Sequence, residues 1–195
     1  MDWLGYGDSP ICIFDRSGGE TALSMCYPSA LAALESDPHL LNWKDLPKEA
    51  HLRVGTVELI APATVVLASD GIGQLVLMRY LAGACLRGTD DAAGASISLP
   101  TQGLIAEFRR LVQTGKGKLA DFARAHLDAP RPGFAAELGA LRADLASETD
   151  FSRAIRDRYG QGLMPNDDAT MIVIDIDRNV AGETASGVTN DEFRI

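Results

Sequence analysis

The sequence predicts an α+β domain, on three observations. Apolar runs of strand length dominate the first 70 residues, leucine- and alanine-rich stretches at helical spacing fill the middle, and a β-branched run, Met171-Ile172-Val173-Ile174, follows them. Alternating or β-branched apolar segments of four to eight residues suit strands, and apolar residues three or four apart suit one face of a helix.

Taken in order, residues 3–7 and 11–14 are short apolar runs separated by Gly7-Asp8-Ser9-Pro10. Arg16-Ser17-Gly18-Gly19 then supplies a turn, and residues 20–26 form a return strand, because two glycines can take the positive φ a tight hairpin needs. Pro28, Pro38 and Pro47 bar any long helix between residues 28 and 48. Leu52, Val54, Thr56 or Val57 and Leu59 show approximate alternation, and residues 63–68 are a continuous β-branched run. The two segments are expected to form a second hairpin turned at Ala61-Pro62, with 63–68 and 171–174 as central strands. Helices are expected over 72–86 and 102–113, on the spacing of Leu75, Leu77, Met78 and Leu81 and its repeat, with a loop over 87–98. Further helices flank the break at Pro130-Arg131-Pro132-Gly133, and residues 178–195 form a polar tail.

The chain has 195 residues, 46% of them hydrophobic, enough to bury a core. Its net charge of −9, from 27 acidic and 18 basic residues, repels phosphate backbones and anionic lipid, which argues against nucleic acid and membrane as partners. The three cysteines, Cys12, Cys26 and Cys85, lie in apolar stretches without zinc-site spacing, as expected of buried thiols in a reducing, cytoplasmic setting. Residues 1–20 lack the basic and apolar regions of a signal peptide, and no apolar stretch approaches the ~20 residues of a membrane-spanning helix.

Three acidic motifs stand at strand ends: Gly7-Asp8-Ser9, Ser69-Asp70-Gly71 and Asn166-Asp167-Asp168-Ala169-Thr170. An Asp at such a position leaves its carboxylate on the rim of a sheet, and several rims brought together make the all-oxygen site that Mg²⁺ and Mn²⁺ favour. Each motif alone is equally a plain turn or a pair of solvated charges. His39, His51 and His126 show no paired spacing and are expected to be structural or surface residues, and Ser9 and Ser69 have no accompanying base for a hydrolase triad.

The order of the motifs resembles the protein phosphatase 2C family, the metal-dependent serine/threonine phosphatases that include the bacterial PPM-type enzymes. The matching segments are Leu4-Gly5-Tyr6-Gly7-Asp8-Ser9, Val65-Val66-Leu67-Ala68-Ser69-Asp70-Gly71-Ile72 and Asp167-Asp168-Ala169-Thr170-Met171-Ile172-Val173-Ile174. The resemblance implies an antiparallel β-sandwich flanked by helices, with a two-metal centre of Mg²⁺ or Mn²⁺ at one end. It implies Asp70 and Asp167 as metal ligands and Asp8 as a ligand of a weaker third metal, so that the carboxylates of Asp70 and Asp167 should converge. The activity implied is hydrolysis of phosphoserine and phosphothreonine in protein substrates by a metal-activated water.

The sequence departs from the family pattern in three respects. The single Asp-Gly-x-Gly here, Asp70-Gly71-Ile72-Gly73, already serves the second motif, so no separate segment of that pattern is left to open the family domain. Gln74 stands where many relatives carry an acidic residue, and the helical stretch at about 87–150 is longer than a compact family core needs, as an insertion, a lid or ordinary packing. The resemblance therefore covers roughly residues 3–80 and 160–177 of a phosphatase-like domain at 1–177 that lacks its N-terminal part, and an upstream or partner segment is expected to complete the site. A non-catalytic, phosphatase-like binding or regulatory module is the alternative.

Overall fold

The computed structural model describes residues 1–6, 9–17, 21–35, 48–49, 52–87, 99–129, 133–166 and 169–177. Asp8, His51, Asp167, Asp168, the expected loop tip at 18–19 and the expected tail lie outside the described residues. The described chain is mixed α and β. Its strands are β1 (Asp2–Tyr6), β2 (Ile11–Asp15), β3 (Ala22–Tyr27), β4 (Leu52–Thr56), β5 (Ala63–Ala68) and β6 (Met171–Ile176). A short 3-10 turn, Leu31–Glu35, follows β3, and five helices lie between β5 and β6: α1 (Asp70–Arg87), α2 (Leu99–Thr114), α3 (Lys118–Asp128), α4 (Phe134–Asp144) and α5 (Glu148–Gly160).

The strands form two antiparallel sheets, a β1–β4 ribbon and a four-stranded sheet ordered β3-β2-β5-β6. The expected β2–β3 hairpin is present, while the expected hairpin at Ala61-Pro62 is not: β4 pairs with β1 and β5 lies between β2 and β6. The burial of each strand explains the difference. Ala63, Thr64, Val65, Val66 and Ala68 are all buried, so β5 must be covered on both faces, whereas β4 leaves Val54 69% exposed and suits a peripheral ribbon. Met171-Ile172-Val173-Ile174 is a strand as expected but an edge one, since among the described residues its only ladder partner is β5.

On the helix face of the large sheet, Cys12, Phe14, Val66, Ala68 and Met171 join the main core. Helix α1 lies across that face, surrounded by α2, α3 and α4, and is buried almost all round from Gly71 to Met78 and again at Tyr80, Leu81 and Ala82. A helix so enclosed needs no polar stripe, which accounts for its run of apolar residues. Leu104, Phe108, Leu119 and Leu141 bring α2, α3 and α4 into the same core. His126 is fully buried there, its Nε2 2.6 Å from the Leu163 carbonyl oxygen, in a structural setting.

A bulge between Ile13 and Phe14 leaves Ser24 without a partner in the β2–β3 register. The Ser24 hydroxyl donates to the Ile13 carbonyl at 3.0 Å. On the outer side of β3, the Leu23 N–H donates to Tyr80 Oη at 3.0 Å and the Leu23 carbonyl accepts Thr101 Oγ1 at 2.8 Å, so α1 and α2 close that edge of the sheet. The ribbon meets the opposite face where the Trp3 ring packs on Tyr27, centroids 5.4 Å apart, with Gly5 beneath the tyrosine ring.

Candidate metal site at one end of the four-stranded sheet

Strand direction decides which chain ends can meet. Because β2 and β6 both run antiparallel to β5, the starts of β2 and β6 lie at the same end of the sheet as the end of β5. These are the ends where the three acidic motifs stand: Ser9-Pro10 leads into β2, Ser69-Asp70 follows β5, and Ala169-Thr170 leads into β6.

Asp70 is the first residue of α1, two positions before the helix start the periodicity predicts. Strand β5 passes into the helix through Ser69 alone, and the Gly73 N–H closes the first helical hydrogen bond on the Ser69 carbonyl at 2.8 Å. The half-buried Asp70 carboxylate accepts the Gly71 N–H on Oδ1 at 2.8 Å. A negative charge is favoured there, where unpaired N–H groups gather at the helix start.

Two neighbours fasten this end. The Ala68 N–H donates to the Pro10 carbonyl at 3.1 Å. Gly73 allows the Pro10 ring to seat on the first turn of α1, where a Cβ at position 73 would overlap the ring. Across the sheet the Ser69 N–H donates to the Thr170 carbonyl at 2.9 Å, and the Thr170 N–H donates to Ser69 Oγ at 3.1 Å.

The described residues bring Ser9-Pro10, Ser69-Asp70 and Ala169-Thr170 to this one rim. Of the three carboxylates the sequence singles out they include that of Asp70, since Asp8 and Asp167 lie outside them. Among the described residues no group of three or more His, Cys, Asp or Glu side chains could hold a metal ion. The donors the three motifs supply are all oxygen, a set that fits a hard divalent cation. At position 74 the side chain does other work: Gln74 is buried and its Nε2 donates to the Leu34 carbonyl at 2.8 Å.

The other end of the sheet is built differently. Arg16, just past β2, donates to the Ala63 carbonyl at 3.2 Å and to Asp177 Oδ1 at 2.9 Å. Asp175 accepts Thr64 Oγ1 at 2.8 Å and pairs with Arg142 of α4. Asp175 and Asp177 are therefore paired with arginines in place. A cavity of about 190 Å³ beside Arg79, Arg87, Phe134 and Glu137 opens further along α1 than Asp70. With a helical rise of about 1.5 Å per residue, Arg79 is already more than ~13 Å along the axis from the rim.

Cys12 and Cys26 form a pair that the sequence does not announce. The two residues face each other across β2 and β3, with Sγ atoms 3.7 Å apart. Spacing alone cannot reveal such a pair, because it depends on strand register.

Comparison of the chain with protein-family models, curated proteins and solved structures returns no match. No helix among the described residues is long and apolar enough to cross a membrane.

Proposed function

We propose that the chain carries a divalent-cation site at the rim defined by the end of β5 and the starts of β2 and β6, and that its chemistry is metal-dependent hydrolysis of phosphoserine and phosphothreonine in protein substrates, as in the protein phosphatase 2C family. The observation that carries the proposal is the common rim: three sequence-distant acidic motifs flank strand ends that antiparallel pairing brings together. Asp70 supplies the first carboxylate, and Asp167 and Asp8 are its proposed companions. Mg²⁺ or Mn²⁺ bound there would acidify a water and neutralise charge gathering on a phosphoryl group. The Asp70 carboxylate holds charge at the start of α1, and the Ser69 N–H ties the neighbouring backbone to the Thr170 carbonyl. Two antiparallel sheets in contact through Trp3 and Tyr27, with helices on one face, support a sandwich of the phosphatase 2C kind as the finer description of the fold.

A second reading has its own observation. Gln74, at a position where family relatives carry an acid, is engaged with a backbone carbonyl in the core, which favours a binding or regulatory module that has the fold and lacks turnover. Calorimetric titration with Mn²⁺ separates these possibilities when joined to a phosphopeptide assay. Binding that Asp70→Asn abolishes, with turnover, supports the phosphatase; the same binding with no turnover supports the module. Absence of binding, or binding indifferent to Asp70→Asn, refutes the site. The chain is expected to turn over feebly even with excess Mn²⁺, since two-metal hydrolysis needs both cations at fixed separation and the one Asp-Gly-x-Gly in the sequence, Asp70-Gly71-Ile72-Gly73, already serves the second motif and leaves no second bridging acid of that kind.

A further inference from the structure

We propose that Ser69 is a positioning residue for the cation site: its hydroxyl fixes Thr170, three residues after the proposed ligand Asp167, to the residue preceding Asp70. The inference rests on the metal-site reading above and deepens it.

The β5–β6 ladder ends at the pair Ala68 and Met171, and Ser69 and Thr170 would form its next step. In an antiparallel ladder two facing residues can exchange both of their main-chain bonds. Half of that exchange is present, since the Ser69 N–H donates to the Thr170 carbonyl. The other half would need the Ser69 carbonyl as acceptor for the Thr170 N–H. That carbonyl already accepts the Gly73 N–H, because the chain turns into α1 at once. The Ser69 hydroxyl stands in for it, accepting the Thr170 N–H at 3.1 Å. The substitution lets one residue end a strand, begin a helix and still keep β6 fastened one step beyond the ladder.

Thr170 lies two residues after Asp168 and three after Asp167. A side chain that fixes Thr170 to the residue preceding Asp70 therefore leaves only a short length of chain between that tie and Asp167. Groups that orient ligands without touching the metal typically change metal affinity by about 10–100-fold when removed.

The test uses the full chain as wild type, Ser69→Ala, Ser69→Thr and Asp70→Asn. Amide hydrogen exchange is followed residue by residue without metal, and Mn²⁺ affinity is measured by calorimetry. In Ser69→Ala the Thr170 amide should exchange on the order of tenfold faster while Val65 and Val66 amides keep their protection, and Mn²⁺ should bind about 10-fold more weakly. Ser69→Thr, which keeps a hydroxyl, should restore both, and this rescue separates positioning from a general loss of stability. Unchanged exchange at Thr170 would show that the hydroxyl does not hold it. Faster exchange with unchanged Mn²⁺ affinity would make the contact structural only. If the wild type fails to bind Mn²⁺, the metal-site reading falls and the role of Ser69 with it, an outcome distinct from a wild type that binds and a Ser69→Ala variant that binds equally well.

Discussion

Where Pro10 seats on the first turn of α1, Gly73 leaves no room for even a methyl group. The atoms in the way belong to a proline ring, which cannot swing aside as a flexible side chain would. Gly73→Ala should therefore destabilise the fold by about 1–3 kcal/mol, the usual cost of overpacking, despite the higher helix propensity of alanine. Chemical denaturation measures this directly, and a neutral or stabilising result would mean that β2 can draw back from α1 at no cost. The thiols give a second expectation at this scale. Cys12 is buried, and its pKa is raised by the hydrogen bond with Cys26, by burial and by the charge of that neighbour. Cys85 is half-buried; burial raises its pKa while Arg109 acts in the opposite direction. A thiol-disulfide reagent at neutral pH should label Cys85 well before Cys12, and all three cysteines together once the chain is unfolded. Early labelling of Cys12, identified by peptide mapping, would contradict the packing of β2 against β3.

At the scale of elements, α5 opens on a capped first turn. The Ser147 hydroxyl oxygen accepts the Asp150 N–H at 3.0 Å, and the hydroxyl donates to Asp150 Oδ2 at 2.7 Å, an N-cap and its third residue serving each other. Ser147→Ala should cost about 1 kcal/mol. The same contact has a pH signature. Asp150 has its pKa lowered, chiefly by the Ser147 hydrogen bond and also by Arg153. A carboxyl whose folded pKa lies below its unfolded one adds stability above the unfolded value and loses it as pH falls through the folded one. The contribution of Ser147 should therefore be present at neutral pH and fade below the ordinary carboxyl range, so the wild type and Ser147→Ala denaturation midpoints should converge on acidification. Midpoints that stay equally far apart at low pH would assign the effect to the Asp150 N–H alone. Other elements were legible in the sequence because their signals are local: the leucine spacing of α1, the β-branched run of β5, the Pro130–Gly133 break between α3 and α4. The two extra residues at the start of α1 were not, because Asp70-Gly71 after a strand equally describes a turn, and the choice is made by packing against Pro10 and Thr170. For the site, the sequence supplied three motifs of the right order, and their shared rim follows only from an antiparallel pairing that residue spacing does not contain.

Among the described residues the two edges of the large sheet are unequal, and the consequence for the whole molecule is open to test. Beside β3, Tyr80 and Thr101 cover the outward backbone groups of Leu23. Along β6, Ile172 and Ile174 are 53% and 46% exposed, and the strand carries no lysine, proline or register shift of the kind that usually guards an edge. Both isoleucines lie on the face away from the helices, since Val65 and Leu67 are their register partners and the core-facing residues Val66 and Val173 alternate with them. An apolar edge of this kind is a template for further strand pairing, whether the added strand comes from a completing segment or from a second molecule. Self-association of the chain should therefore rise with concentration, and Ile174→Lys should suppress it. A charge on the open strand repels its copy, while the half-exposed position limits the folding cost to roughly 1 kcal/mol or less. Ile13→Lys is the contrasting variant: Ile13 is 1% exposed on the same face, so a buried ammonium should unfold the sheet and increase aggregation. Light scattering over a concentration series, read beside thermal melts of the three proteins, checks both expectations. If Ile174→Lys associates as the wild type does, the β6 edge is not the route, and the exposed Leu4–Val54 pair on the β1–β4 ribbon becomes the next surface to charge.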